Sequence, residues 1–247
     1  MNNSTSKMYQ VSTLQALAMG YTKDVITVGK ILEHGDTGLG TFENVDGEMI
    51  VVDGHCYRAL EDGRVVEADA DLGVPFSSVT TLQGQREFEI SAIKSIADLK
   101  RLLDNKIEEG FGLNSMHIVR IDGHFTKLFA RSEAGYESRF ISLKDILSGQ
   151  QKEFYFEDIE GTLVCIYYPD YMDGINAVGW HLHFISRDRK LGGHVFEMEL
   201  SNAKAKLDKI SRIEIQLPTD IEFDIYSLKS VSNDEIKQVE QASSDNK

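Results

Sequence analysis

The run Gly179-Trp-His-Leu-His-Phe-Ile-Ser186, followed by Arg-Asp-Arg-Lys-Leu-Gly-Gly-His194, constrains this chain more than any other segment. Its apolar half reads as a β-strand. Side chains alternate faces along a strand, so His181 and His183 project to one side, about 7 Å apart. The polar, glycine-containing segment 187–193 suits a chain reversal, and a hairpin centred near Asp188-Arg189 sets His194 across from His183 on that face. A one-residue slip in register would send His194 to the far side of the sheet, and no Asn-Gly pair is present to pin the turn. Three neutral imidazoles gathered in this way are a ligand set for Zn²⁺ or a similar divalent ion, with positions left for carboxylate, water or substrate. An open site of that kind implies catalysis. A cupin would also use His-x-His, but it expects a Glu a few residues later, where this chain has Ile185, Ser186 and Arg187. His34, His55, His117 and His124 fall outside the constellation and read as structural or exposed.

The rest of the chain supplies a scaffold of short strands with few helices. Residues 12–20 read as a short helix with Ser12 as N-cap, Leu14 and Leu17 on one face and Gly20 as the stop. From Val25 to Val66 the pattern is β-prone runs broken by glycine: 26–28, 40–42, 49–52 and 56–60. A longer helix is expected over Ile96 to Glu109, where Ser95 and Asp98 form a capping box and Ile96, Leu99, Leu103 and Ile107 make an apolar stripe. Strands at 116–121 and 125–129 flank Asp122-Gly123, a hairpin dipeptide, and Ser142 to Leu147 reads as another short helix. Further strands are expected at 163–168, 179–186, 194–200, 213–217 and 221–228. This order predicts an α+β (mixed α/β) fold, two β-sheet-rich halves with a few helices and the metal site on a hairpin of the C-terminal half. The polar, turn-like stretch 149–154 is the candidate boundary, giving an N-terminal mixed domain over 10–150, a β-rich metal-binding domain over 151–230 and a tail over 231–247. The first eight and last seven residues, polar and unpatterned, read as frayed ends.

A chain of 247 residues, 41% hydrophobic and 27% charged, has ample material for a core and is not a disordered composition. With 26 Lys and Arg against 40 Asp and Glu, its net charge of −14 repels phosphate backbones and anionic lipid surfaces, so neither nucleic acid nor membrane is an expected partner. An anionic substrate must then be drawn by a local cation. The two cysteines, Cys56 and Cys165, are too few for a disulfide framework, lack metal spacing and read as buried hydrophobes. The N-terminal residues lack a signal-peptide pattern and no apolar stretch reaches about 18 residues, so a cytoplasmic location is expected.

Several ordered motifs accompany the histidines: Gly38-Leu-Gly-Thr-Phe42, Asp46-Gly-Glu48, Pro75-Phe76, Arg120-Ile-Asp-Gly123, Ala130-Arg-Ser132 and Pro169-Asp-Tyr-Met-Asp-Gly-Ile-Asn176. With His181-Leu-His183 and Gly-Gly-His194, they make the chain resemble the α-acetolactate decarboxylases from about Gln10 to Leu228. The resemblance implies a metal-dependent lyase that converts 2-acetolactate to acetoin and CO₂, on a two-domain α/β scaffold that usually dimerises. It assigns His181, His183 and His194 to a zinc-type ion, Glu48 to a carboxylate beside it, Thr41 to the pocket and Arg131 to the catalytic cation. It also brings a C-terminal glutamate back to the metal, for which Glu240 is the best-fitting position. Plainer alternatives exist: Glu48 as a solvent-facing residue after a turn, Arg131 in a surface ion pair with Glu133, and Glu240 on the charged face of a short helix begun by the capping box at Ser232 and Glu235. After Ala-Arg-Ser the family is usually Val-Pro-rich, whereas this chain has Glu133-Ala-Gly-Tyr-Glu-Ser138.

These residue types suit the implied reaction. The substrate is a β-keto acid with a hydroxyl on the carbon that loses CO₂, so the electron pair left behind flows into the neighbouring carbonyl as an enediolate, and neither PLP nor thiamine is needed. A Lewis-acidic metal would stabilise that charge, a guanidinium would pair with the carboxylate or oxyanion, and Glu48 or Glu240 would return a proton. The same histidines would equally serve a metal-dependent hydrolase, or stand buried in a non-catalytic binding module.

Overall fold

The structure, a computed structural model, describes residues 6–137 and 141–225. Strand β1 (Ser6–Val11) leads into helix α1 (Leu14–Ala18), β2 (Ile26–Thr27), α2 (Val28–Leu32), β3 (Thr37–Thr41), β4 (Glu48–Val52), β5 (His55–Ala59) and β6 (Val65–Glu67). β7 (Gly73–Val74), β8 (Phe76–Thr80), β9 (Arg86–Ile90), α3 (Ile96–Gly110), β10 (Met116–Glu133) and α4 (Leu143–Gln150) follow. β11 (Gln151–Tyr168), β12 (Gly179–Ser186), β13 (Gly192–Gln216) and α5 (Ile221–Ile225) complete the described chain. The fold is the expected mixture of many strands and few helices.

All strands except the β2–β7 pair join one eleven-stranded sheet in the order β10-β11-β12-β13-β1-β8-β3-β4-β5-β6, with β9 added on β13. Because β10 also pairs with β13, the strands β10, β11, β12 and β13 close on themselves. The 25-residue β13 makes this possible: its start pairs with β12, its middle with β10 and β9, and its end runs parallel to β1. Near the candidate boundary at 149–154, α4 hands directly to β11 at Gln150-Gln151, and β11 is laddered to β10 from Gln151 onward.

Helix α3 matches its sequence signature. Ser95 caps it by accepting from the Asp98 N–H at 3.1 Å, and Leu99, Leu103 and Ile107 are buried against Val119, Ile121 and Leu128 of the sheet. Burial of each such side chain contributes about 1.5–3 kcal/mol, enough to hold a single amphipathic helix on the sheet. Trp180, the neighbour of His181 on β12, donates from Nε1 to Asp104 of α3 at 2.8 Å and so ties the helix to the histidine strand. Both cysteines are buried and free, and burial pushes the Cys56 thiol up to about 12.

Other expectations are corrected. Residues 6–8 are not frayed, because Ser6 and Met8 are buried in β1. Ser12 takes a left-handed conformation (φ 57°), so the N-cap of α1 moves to Thr13, whose Oγ1 accepts from Ala16 N–H at 3.2 Å. The β-prone run from Ile26 ends in helix α2, which buries Val28 and Ile31 on one face. The run at 194–200 and residues 213–216 of the next belong to the single strand β13, which ends before Leu217, and Ile221–Ile225 is helical; residues 226–228 lie outside the described residues.

Asp122-Gly123 makes no hairpin. Both residues lie inside β10, opposite Thr162 and Gly161 of β11. A Cβ on Gly123 would come within 2.4 Å of the Ala203 Cβ, and one on Gly161 within 2.4 Å of the Ile185 carbonyl oxygen and the Phe184 ring. These glycines answer close approach of neighbouring strands inside the closed sheet, a second use of glycine that a dipeptide cannot distinguish from a turn.

Candidate metal centre

The hairpin reverses between Ser186 and Gly192 as expected, and the ladder pairs His183 directly with His194. His194 is in turn the partner of Arg131 on β10. One lateral row across three adjacent strands therefore carries an imidazole, a second imidazole and a guanidinium. Gly193 makes this row possible, since a Cβ there would sit 2.5 Å from the Arg131 carbonyl oxygen.

The ring nitrogens converge. His181 Nε2 is 3.1 Å from both His183 Nε2 and His194 Nδ1, and the latter two are 3.3 Å apart. Zinc–nitrogen bonds of about 2.0–2.1 Å at near-tetrahedral angles separate ligand nitrogens by about 3.3 Å, so the triangle fits one such ion. His183 Nδ1 donates to the Met49 carbonyl at 2.8 Å, which fixes the tautomer and leaves Nε2 as a lone-pair donor. All three rings are buried. Burial, helped by the charges of Arg131 and Lys100, lowers His181 to about 3, and burial followed by the neighbouring His181 lowers His183 well below the usual histidine range. Both are neutral, as metal ligation requires. Among the described residues these three form the one His/Cys/Asp/Glu group able to hold a metal.

Glu48, the first residue of β4, faces the same point. Its Oε2 is 3.3 Å from His183 Nε2, and its Oε1 is 4.0 Å from His194 Nδ1 and 3.8 Å from Arg131 Nε. It is buried, not solvent-facing after a turn. Its backbone N–H donates to Ser132 Oγ at 3.3 Å, and that hydroxyl donates to the Ala59 carbonyl at 2.7 Å, so β10 is pinned to β4 and β5 beside the site. Thr41 pairs with Glu48 in the β3–β4 ladder and donates from Oγ1 to the Gly47 carbonyl at 2.9 Å.

Arg131 is 4% exposed, which removes the surface ion-pair alternative. Its Nη1 donates to Gln151 Oε1 at 2.7 Å, and its guanidinium lies 5.1 Å from the centre of the Phe196 ring. The structure thus brings together His181, His183, His194, Glu48, Arg131 and Thr41. Glu240 lies outside the described residues.

These groups border a pocket whose polar lining includes Thr41, Glu48, Arg131, Glu133, His181 and His194. The rest of its lining is largely apolar, with Leu17 of α1, Leu143 and Leu147 of α4, Val45 and Phe76. Sequence reasoning did not place Glu133 or these apolar residues in the site. Glu133 was legible in principle: it shares strand parity with Arg131, two positions earlier, and is 1% exposed. The leucines showed only as helix stripes, and nothing local says which helices meet over a cavity.

A strand-borne three-histidine centre with a flanking carboxylate and a buried arginine defines an open, catalytic type of metal site. The family model for alpha-acetolactate decarboxylase matches residues 8–230. The alpha-acetolactate decarboxylase of Methanosarcina mazei is 34% identical over 239 residues, covering 97% of this chain and 82% of that protein. That of Lactococcus lactis subsp. lactis is 34% identical over 216 residues, covering 86% and 88%. The crystal structure of alpha-acetolactate decarboxylase from Bacillus subtilis strain 168 superposes with a TM-score of 0.90 at 29% identity, covering 95% of this chain and 99% of that one. The chain belongs to the alpha-acetolactate decarboxylase family. These matches favour decarboxylation over the hydrolase reading of the same histidines.

Proposed function

We propose that this protein decarboxylates 2-acetolactate to acetoin and CO₂ in a site built from His181, His183, His194, Glu48, Arg131 and Thr41. The observation that carries the reading is the 3.1–3.3 Å triangle of imidazole nitrogens with Glu48 and Arg131 at its edge, in a chain of this family. The three histidines would hold a zinc-type divalent ion, which when bound supplies Lewis acidity toward the substrate oxygens.

Arg131 provides the local attraction that a chain of charge −14 needs for an anionic substrate. Its guanidinium stays charged at any working pH and offers a planar fork to a carboxylate or developing oxyanion. Loss of CO₂ leaves an electron pair that the adjacent ketone accepts, giving an enediolate. Glu48, buried between Arg131 and the imidazoles, is placed to deliver the proton that converts this species to acetoin. The apolar wall of Leu17, Leu143 and Leu147 suits the substrate's methyl groups and keeps bulk water off the carbanionic carbon. Glu240, from the C-terminal segment, is a second candidate proton donor. A homodimer in the cytoplasm completes the reading, and sedimentation tests the oligomer.

The direct test is release of CO₂ and acetoin from 2-acetolactate, before and after EDTA treatment and after restoration with zinc. Turnover that EDTA abolishes and zinc restores is expected. Turnover that ignores complete metal removal, or none in the metal-loaded protein, would overturn the reading.

A further inference from the structure

Arg131 faces two possible partners on β11. Glu153 stands directly across from it in the β10–β11 ladder, yet the guanidinium Nη1 donates not to that carboxylate but to the neutral amide of Gln151, at 2.7 Å. The Gln151 Nε2 then donates to Glu153 Oε1 at 3.1 Å. Only one orientation of the amide satisfies both neighbours, oxygen toward the guanidinium and nitrogen toward the carboxylate. Gln151 thus lies between a buried cation and an exposed anion. Among the described residues the carboxylate within 4.0 Å of Arg131 is Glu48, at 3.8 Å from Nε, and Nε makes no hydrogen bond.

We propose that Gln151 is a positioning residue for substrate binding: it fixes the Arg131 guanidinium with a neutral acceptor and keeps Glu153 from pairing with it, so the positive charge stays available to the substrate anion. The inference rests on the reading of Arg131 as the substrate-binding cation. A carboxylate at position 151 would fit the same space and accept the same hydrogen bond, but it would form a charge-assisted pair that competes with the substrate. Shape and charge therefore make opposite predictions. If Gln151 only fills space, the isosteric Glu is the mildest replacement. If it supplies neutrality, Glu is the most damaging.

The experiment measures kcat and KM for 2-acetolactate, with metal content per chain, in the parent, Gln151→Glu and Gln151→Met. The expected order of KM is parent, then Met, then Glu, with Gln151→Glu raised about tenfold or more and metal content unchanged, as expected for an anion set against the binding cation. A Gln151→Glu enzyme with KM within about twofold of the parent, or a Met variant worse than the Glu variant, overturns the proposal. Glu153→Leu supplies a second test at an exposed position where folding is not at risk. Added to Gln151→Met, it removes the anion that the amide no longer holds off, so KM should fall back toward the parent, and a double variant that keeps the KM of Gln151→Met counts against the proposal. An inactive metal-loaded parent would instead defeat the functional reading itself, so the two failures are distinguishable.

Discussion

Arg131 and His194 are direct partners in the β10–β13 ladder, so the cation of the site and one of its three imidazoles are held by adjacent backbone rather than by flexible loops. His183 is the partner of His194 on the other side. A site set by strand register is rigid, and single side chains can be removed from it without moving the rest.

Arg131→Ala should therefore cut turnover of 2-acetolactate about tenfold or more while bound metal persists, because the guanidinium is 3.8 Å from Glu48 but is not among the three nitrogen ligands. Steady-state kinetics with elemental analysis on the same preparation check this. Full activity in the variant would remove Arg131 from the mechanism.

His183→Ala should behave in the opposite way. The ring is fully buried, its Nδ1 is fixed on the Met49 carbonyl, and its Nε2 completes the triangle. Losing one of three nitrogen donors should lower metal affinity at least about 100-fold and turnover with it. A competition titration against a chromophoric chelator reads the affinity directly. Parent-like metal affinity would mean that the ion, if any, sits elsewhere.

How much of this was legible beforehand divides along physical lines. The strand alternation of His181 and His183 and the reversal before His194 are local, and the hairpin forms where those residues placed it. Helix α3 was legible because its cap and apolar stripe lie within fifteen residues. The Asp122-Gly123 turn failed because the demand on Gly123 comes from Ala203, eighty positions away. Helix α2 was missed because its five residues, Val28-Gly-Lys-Ile-Leu32, are too few to show a period that tells helix from strand. Glu133 and the leucine wall went unplaced for the same reason as Gln151: their roles depend on which strands and helices become neighbours, not on any spacing within them.

His117 supplies a pH prediction away from the metal. It is fully buried, its Nε2 bonds to the Gly112 carbonyl at 3.1 Å, and burial lowers it from 6.5 to about 4. The unfolded chain therefore takes up this proton at higher pH than the folded one. The stabilisation from keeping His117 neutral is complete above about pH 6.5 and is lost as the pH falls from there toward 4. Between pH 7 and 5 the parent should lose about 2 kcal/mol more stability than His117→Gln, which has no titrating group at this position. Urea unfolding of both proteins at the two pH values measures the difference, and equal losses would show that His117 is not held neutral.

Two glycines should respond oppositely to the same added methyl group. Gly161 lies within the closed sheet, and its Cβ would stand 2.4 Å from the Ile185 carbonyl oxygen, a backbone atom that cannot turn aside. Gly161→Ala should cost about 1–3 kcal/mol by overpacking. Gly149 lies exposed within α4, with nothing within 4 Å of the added Cβ. Gly149→Ala should stabilise by about 0.5–1 kcal/mol, since alanine loses less backbone entropy in a helix. In a protein of this size each kcal/mol shifts Tm by about 2–4 °C, so thermal melts should place the variants on opposite sides of the parent. A Gly161→Ala protein as stable as the parent would mean that β11 and β12 can part by an ångström without loss, and the histidine geometry on β12 would then have no rigid support.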